Sequence, residues 1–242
     1  KGTSLYAGTS IGGVCLSIDS GNTWTPVNTG LTNLDVNTIF MHNHKFYAGT
    51  KGGIFITDDT LIKWKTADTG LSKTDVRCFA AFDSVLFAGT TCEETYRSID
   101  NGHSWEKLIK GMEYRSISAM ATFGNYLIAG TDDGEILIST DSAANWTTVS
   151  FSHPFSINSI IVHGNNLYAG SGGLYLSVDS GFSWSEVKKD NGEIFASVYA
   201  LTSKDSFLVA GAQWEVGLSA DSGKKWVSIN DPIYWLFDDV TS

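Results

Sequence analysis

The chain is short of cysteine, proline, basic residues and long apolar runs, and each shortage closes off a class of protein. Three cysteines in 242 residues (Cys15, Cys78 and Cys92) are too few and too scattered for a disulfide framework or a zinc site. Cys78 and Cys92 fall on what read as neighbouring strands, so one bridge and buried thiols both stand as readings. No run approaches the ~18 consecutive apolar residues of a membrane helix, so insertion into a membrane is not expected. Bases are scarce, 16 Lys and Arg against 26 Asp and Glu, for a formal net charge of −10. Such a surface repels phosphate backbones and anionic lipid, so nucleic acid is not an expected partner. A basic-then-apolar leader is missing at Lys1, which a chain that begins after leader removal would also show.

What the chain has in quantity is apolar side chains, 42% of residues, and 25 glycines. The first excludes disorder, and the second suits many tight hairpins when only three prolines are present. A length of 242 residues fits one large all-β domain, and 1–242 is read as one.

Internal repetition decides the architecture. Six of the eight tryptophans recur at one place, Trp24, Trp64, Trp105, Trp146, Trp184 and Trp226, separated by 40, 41, 41, 38 and 42 residues. Five residues before each stands an aspartate: Asp19, Asp59, Asp100, Asp141, Asp179 and Asp221. Seven before stands Ser17, Thr57, Ser98, Ser139, Ser177 or Ser219, and three before stands Gly21, Leu61, Gly102, Ala143, Gly181 or Gly223.

This Ser/Thr-x-Asp-x-Gly-x-x-Trp pattern resembles the Asp box of BNR-repeat β-propellers. That superfamily includes sialidases, the sortilin ectodomain, xyloglucanases and photosystem assembly factors. The resemblance covers essentially the whole chain. It departs at Leu61 and Ala143, where the turn lacks the residue that most easily takes positive φ, so distorted turns are expected there. A carboxylate at this point of a hairpin accepts hydrogen bonds from the turn's own amides. The tryptophan that follows offers an apolar face to the next repeat. The twelve box residues are therefore read as structural staples.

One unit yields four short strands: 36–42, 46–50, 54–57 and a fragment opening at Trp64, with a turn at His42–His44 between the first two. Four strands at a ~40-residue period make one propeller blade. A Phe/Leu-x-Ala-Gly element returns in all six units, and its small pair is expected to let neighbouring backbones approach closely. Residue 1 opens just before a second strand, and 233–240 reads as an innermost strand with no successor. Together they are expected to complete one blade and close a six-bladed ring, with a truncated seven-bladed ring as the rival.

In related propellers ligands bind at the face opposite the box turns, formed by the second-to-third-strand turns and the links between blades. On that face three segments depart from the repeat: 91–95 with Glu93 and Glu94, 111–115 with Glu113, Tyr114 and Arg115, and 212–217 with Trp214 and Glu215. Trp235 stands beside Tyr234 at the entrance to the last strand. An aromatic face next to carboxylates suits a sugar ring, whose axial C–H groups stack while the acids accept from its hydroxyls. The same tryptophans also fit as packing residues.

A sialidase would need three arginines around the substrate carboxylate, and the chain's only three (Arg77, Arg97 and Arg115) do not form that set. Glu93, Glu94, Glu113 and Asp133 could supply a carboxylate pair for another glycosidase. His42 and His44 are read as solvated turn residues, and Asp132 and Asp133 as an acidic turn, so no metal or cofactor is expected. The resulting expectation is a non-catalytic, secreted propeller module, extracellular or periplasmic, monomeric or part of a longer chain. It binds a protein or glycan, with a glycoside hydrolase as the alternative. The spacer 28–33, Asn-Thr-Gly-Leu-Thr-Asn, resembles repeats of large secreted bacterial proteins.

Overall fold

The computed structural model describes residues 4–58, 63–72, 74–91, 94–108, 112, 115–149 and 155–229. Among these residues the chain folds as six antiparallel sheets that follow one another along the sequence. The first sheet has three strands, Leu5–Thr9, Gly13–Ser17 and Thr25–Pro26. The other five have four each, over 36–66, 76–108, 117–149, 159–186 and 198–229. Spatial order follows sequence order within every sheet, so each is a meander joined by hairpins. The fold is an all-β, six-bladed β-propeller, and the sheets are called blades 1 to 6 below. Residues 233–240, expected to complete blade 1, lie outside the described residues.

The chain divides into two compact units, Lys1–Thr122 and Phe123–Ser242, with the boundary at the end of blade 4's first strand. Each unit repeats one packing device. In blades 2 to 5 the second strand is buried along nearly its whole length, as in Lys45–Thr50 and Val85–Thr90 of the first unit and Asn166–Gly170 of the second. Its glycine then receives the β-branched residue that opens the next blade. A Cβ on Gly8 would stand 2.7 Å from Val36 Cγ1, on Gly49 2.8 Å from Val76 Cγ1, and on Gly89 2.8 Å from Ile117 Cγ2. In the second unit the pairs are Gly130 with Ile157 at 2.4 Å and Gly170 with Val198 at 2.8 Å. The expectation of backbone-on-backbone approach is thus refined: chiefly a side chain, stiff at χ1, fills the space that glycine leaves.

The cores consequently lie between blades. Val14 of blade 1 packs with Val36, Phe46 and Trp64 of blade 2. Tyr47 and Ile54 of blade 2 pack with Val76, Phe79 and Leu86 of blade 3. In the second unit Tyr168 and Leu174 of blade 5 pack with Val198, Leu208 and Trp226 of blade 6.

Candidate functional site

Strand order puts two kinds of turn at opposite ends of each blade. The first-to-second and third-to-fourth turns share one end; the second-to-third turn and the blade links share the other.

The box turns occupy the first end, and five are described; Asp59 and Leu61 lie outside the described residues. In each, the serine Oγ accepts from the backbone amide four residues on, at 2.8–2.9 Å, and donates to the aspartate Oδ1 at 2.7–2.9 Å. The same Oδ1 accepts the amide of Thr23, Ser104, Asn145, Ser183 or Lys225 at 2.8–2.9 Å. Hydrogen bonds from the Thr23 hydroxyl and amide and from Ser17 hold Asp19 down at about 2. Asp100, Asp141, Asp179 and Asp221 are likewise held below the ordinary aspartate value.

Ala143 corrects one expectation. It adopts φ 70° and its amide still reaches Ser139 Oγ at 2.9 Å, so the turn keeps the hydrogen bonds of its glycine counterparts. The strain sits in the alanine backbone and not in the turn.

The six tryptophans are not equivalent. Trp64 and Trp105 are buried, and their indoles donate to carbonyls of the preceding blade's link, Val27 at 2.7 Å and Ala67 at 2.9 Å. Trp24, Trp184 and Trp226 donate to the glycine carbonyl of their own turn. Trp24 is 43% exposed. The Thr-Gly-Leu links, which read as plain spacer, are seats. Trp64 donates its backbone amide to Thr29 O and Trp105 to Thr69 O. A Cβ on Gly30 or Gly70 would come within 2.2 Å of those tryptophans' carbonyl oxygens.

At the opposite end, blades 3, 4 and 6 carry a carboxylate (Glu94, Glu135 and Glu215) at the same turn position, the residue that opens or directly precedes the third strand. In blade 6, Glu215 accepts from Lys189 of the incoming link at 3.0 Å and from the Ser228 hydroxyl of the fourth strand. The lysine and glutamate side chains are only 9% and 12% exposed. Burial works against the Lys189 charge, but hydrogen bonds to Glu215 and Glu193 outweigh it and raise its pKa. Its ammonium also lies 5.5 Å from the ring centre of buried Phe195. In blade 3, Glu94 accepts from Lys107 of the fourth strand at 2.7 Å, from Ser72 of the incoming link at 2.7 Å, and from the Tyr96 hydroxyl. These bonds hold Glu94 at about 2. Burial and the neighbouring Glu94 raise Tyr96.

Trp214 directly precedes Glu215 in a two-residue hairpin closed by the Ala212–Glu215 pair. It is 70% exposed and takes φ 71°, an unusual conformation for a bulky residue. The Gln213 amide donates to Ser197 O at 2.9 Å, which fastens this hairpin to the link.

Of the residues singled out from sequence, Trp214 and Glu215 therefore stand together on one turn. Arg115 is part-buried just before the first strand of blade 4. Glu93, Glu113, Tyr114 and Trp235 lie outside the described residues, as does Cys92. The thiol of Cys78 is buried, 3.8 Å from Ile117 O. His42 differs from expectation: it ends the first strand of blade 2, part-buried against the Phe40 ring, and burial lowers its pKa. Only Asn43 and His44, both at positive φ, form the turn. Asp133 accepts from the Thr131 hydroxyl within its own turn. Among the described residues no group of three or more His, Cys, Asp or Glu is placed to hold a metal ion. Lys189 was missed from sequence, because a link of variable length carries no repeat register to mark it.

No family model and no curated protein matches the chain. Solved structures do. YCF48 from Cyanidioschyzon merolae superposes with a TM-score of 0.67 at 17% identity, over 95% of this chain and 81% of that one. The extracellular domain of BT4673 from B. thetaiotaomicron gives 0.72 at 17% identity, over 89% and 31%. An ancestral GH74 enzyme gives 0.67 at 19% identity, over 86% and 32%. This chain thus spans about a third of the latter two. At such identities the likeness is one of fold. YCF48 has also been solved bound to D1 peptide, and that structure matches with a TM-score of 0.67 at 15% identity, over 92% of this chain and 77% of that one.

Proposed function

We propose that this chain is an Asp-box repeat propeller acting as a non-catalytic binding module for a protein partner. The partner docks at the end of the blades opposite the box turns, with Trp214 as its anchor. What carries the reading is Trp214 itself. A large aromatic held exposed, in a backbone conformation that costs energy, on a hairpin fixed by a buried ion pair, is preorganised for contact. The neighbour solved with a bound peptide supports a protein ligand over a glycan. So does Glu215, whose oxygens are engaged by Lys189 and Ser228 and are poorly free to accept from sugar hydroxyls.

The glycoside hydrolase reading draws support from the GH74 neighbour. Against it, a general acid must hold its proton near neutral pH, and Glu94 is held at about 2. The secreted setting, extracellular or periplasmic, rests on the resemblance of residues 28–33 to repeats of exported proteins. Incubation of the purified chain with a peptide array and a glycan array tests the proposal. Peptide binding that Trp214→Ala abolishes, with no sugar released, is the expected result. Release of sugar from the glycan array overturns it.

A further inference from the structure

Blades 3 and 6 each neutralise a carboxylate with a lysine, at the end of the blade opposite its own box turn. Blade 5 carries a carboxylate here without doing so. Its second-to-third turn is Ser171–Gly173, and the acid comes from the fourth strand: Glu186, opposite Tyr175. This is the position that Lys107 fills in blade 3 and Ser228 in blade 6. Glu186 is exposed, and no Lys or Arg pairs with it among the described ion pairs. The nearest base in sequence, Lys188, is also exposed and joins none of those pairs.

The two glycines serve space and not backbone geometry, since neither takes a positive φ. A Cβ on Gly172 would stand 2.5 Å from the ring of Phe155, and one on Gly173 would stand 3.3 Å from Glu186 Oε1. The Phe155 ring thus covers Gly172 at one end of the turn, and the Glu186 carboxylate borders Gly173 at the other. Phe155 is 56% exposed, and its carbonyl accepts from the Ser171 hydroxyl at 3.0 Å, which ties the ring's backbone to the blade. Tyr175 is buried beside the carboxylate, and burial together with Glu186 pushes its hydroxyl to about 12, so it stays neutral there.

We infer that Phe155 and Glu186 form a subsite for one basic side chain, arginine or lysine, of an extended segment of the protein partner. The inference rests on the binding reading above and specifies its chemistry. The aliphatic stem lies along the exposed ring of Phe155, and the cationic head meets Glu186. The partner supplies the cation that blades 3 and 6 supply from within. A net charge of −10 favours a basic segment from a distance as well.

The probe is an array of dodecapeptides of varied sequence, followed by fluorescence anisotropy on the tightest binder and on analogues with citrulline at each arginine or norleucine at each lysine. One such replacement is expected to weaken binding about fivefold, the scale of an exposed ion pair with a cation–π contact. Glu186→Gln should weaken the basic peptide to the same degree and leave the neutral analogue unchanged. Peptides that bind and lose affinity in Trp214→Ala, yet show no basic preference or no coupling to Glu186, overturn this subsite and leave the binding reading intact. An array without binders overturns both. Unchanged fluorescence and thermal melting of Glu186→Gln separate a lost contact from a lost fold.

Discussion

The Tyr47 hydroxyl of blade 2 donates a 3.0 Å hydrogen bond to the carbonyl of Asn101 in the box turn of blade 3. Its ring occupies the place where a Cβ on Gly102 would project, 2.6 Å from Cε1. Blade 5 and blade 6 repeat the relationship: Tyr168 donates to Ser222 O, and a Cβ on Gly223 would fall 1.9 Å from the tyrosine oxygen. In these boxes glycine is needed twice over, for a positive φ and for the neighbour's tyrosine.

Gly102→Ala and Gly223→Ala are therefore expected to destabilise the fold by about 2–4 kcal/mol, overpacking added to left-handed strain. Ala143→Gly relieves the strain alone and should stabilise by about 1 kcal/mol. Urea denaturation followed by tryptophan fluorescence measures all three. Equal effects of the two alanine variants and of Ala143→Gly in the same direction would contradict the account.

The sequence reads all six box tryptophans alike as staples, and the structure predicts unequal losses. Trp64→Ala removes a buried ring and an indole hydrogen bond to the previous blade, a cost of about 3–5 kcal/mol. Trp24→Ala, at a part-exposed site, should cost well under half of that. Paired thermal melts would detect a difference of this size.

Lys189→Met leaves Glu215 in a nearly buried site with only the Ser228 hydroxyl to meet its charge. A loss of about 3 kcal/mol is expected, since an uncompensated buried charge is costly. The double variant Lys189→Met, Glu215→Leu should recover most of it. If the single variant melts like the parent chain, the pair does not hold the Trp214 hairpin.

The box aspartates predict an acid transition. Their carboxylates ionise more readily folded than unfolded, so the unfolded chain binds more protons as pH drops. Their contribution is complete above the ordinary value of 3.8 and is lost as pH falls toward 2, the value for Asp19. The urea midpoint should hold steady from pH 7 to 5 and drop below pH 4. Asp100→Asn should lower the midpoint at pH 7 and flatten the acid slope. A midpoint constant down to pH 2.5 would exclude the mechanism.

The repeat was legible because its marks are local. A turn built on a hydroxyl and an aspartate at fixed offsets, with glycine in four of the six, writes that pattern into the sequence each time it occurs. The Trp214–Glu215 turn was legible for the opposite reason, as a break in a Gly-rich pattern. Partners were not legible, because they are set across the blade and the link. Nothing in the spacing ties Lys189 to Glu215, or Ser72 and Lys107 to Glu94. Nor does it show that blade 3 takes its lysine from the fourth strand and its serine from the link while blade 6 does the reverse. The same holds for Gly30 and Gly70, which read as spacer and prove to be seats for Trp64 and Trp105.

The glycine that receives the first β-branched residue of the following blade makes each junction a socket and a plug of one standard size. Every blade from the second to the fifth carries both halves, the plug at its entry and the socket in its second strand. A duplicated unit would therefore arrive already fitted to its own parent, and an excised one would leave two ends that still match. Blade number in such a chain can change by copying whole units, with no junction having to be invented.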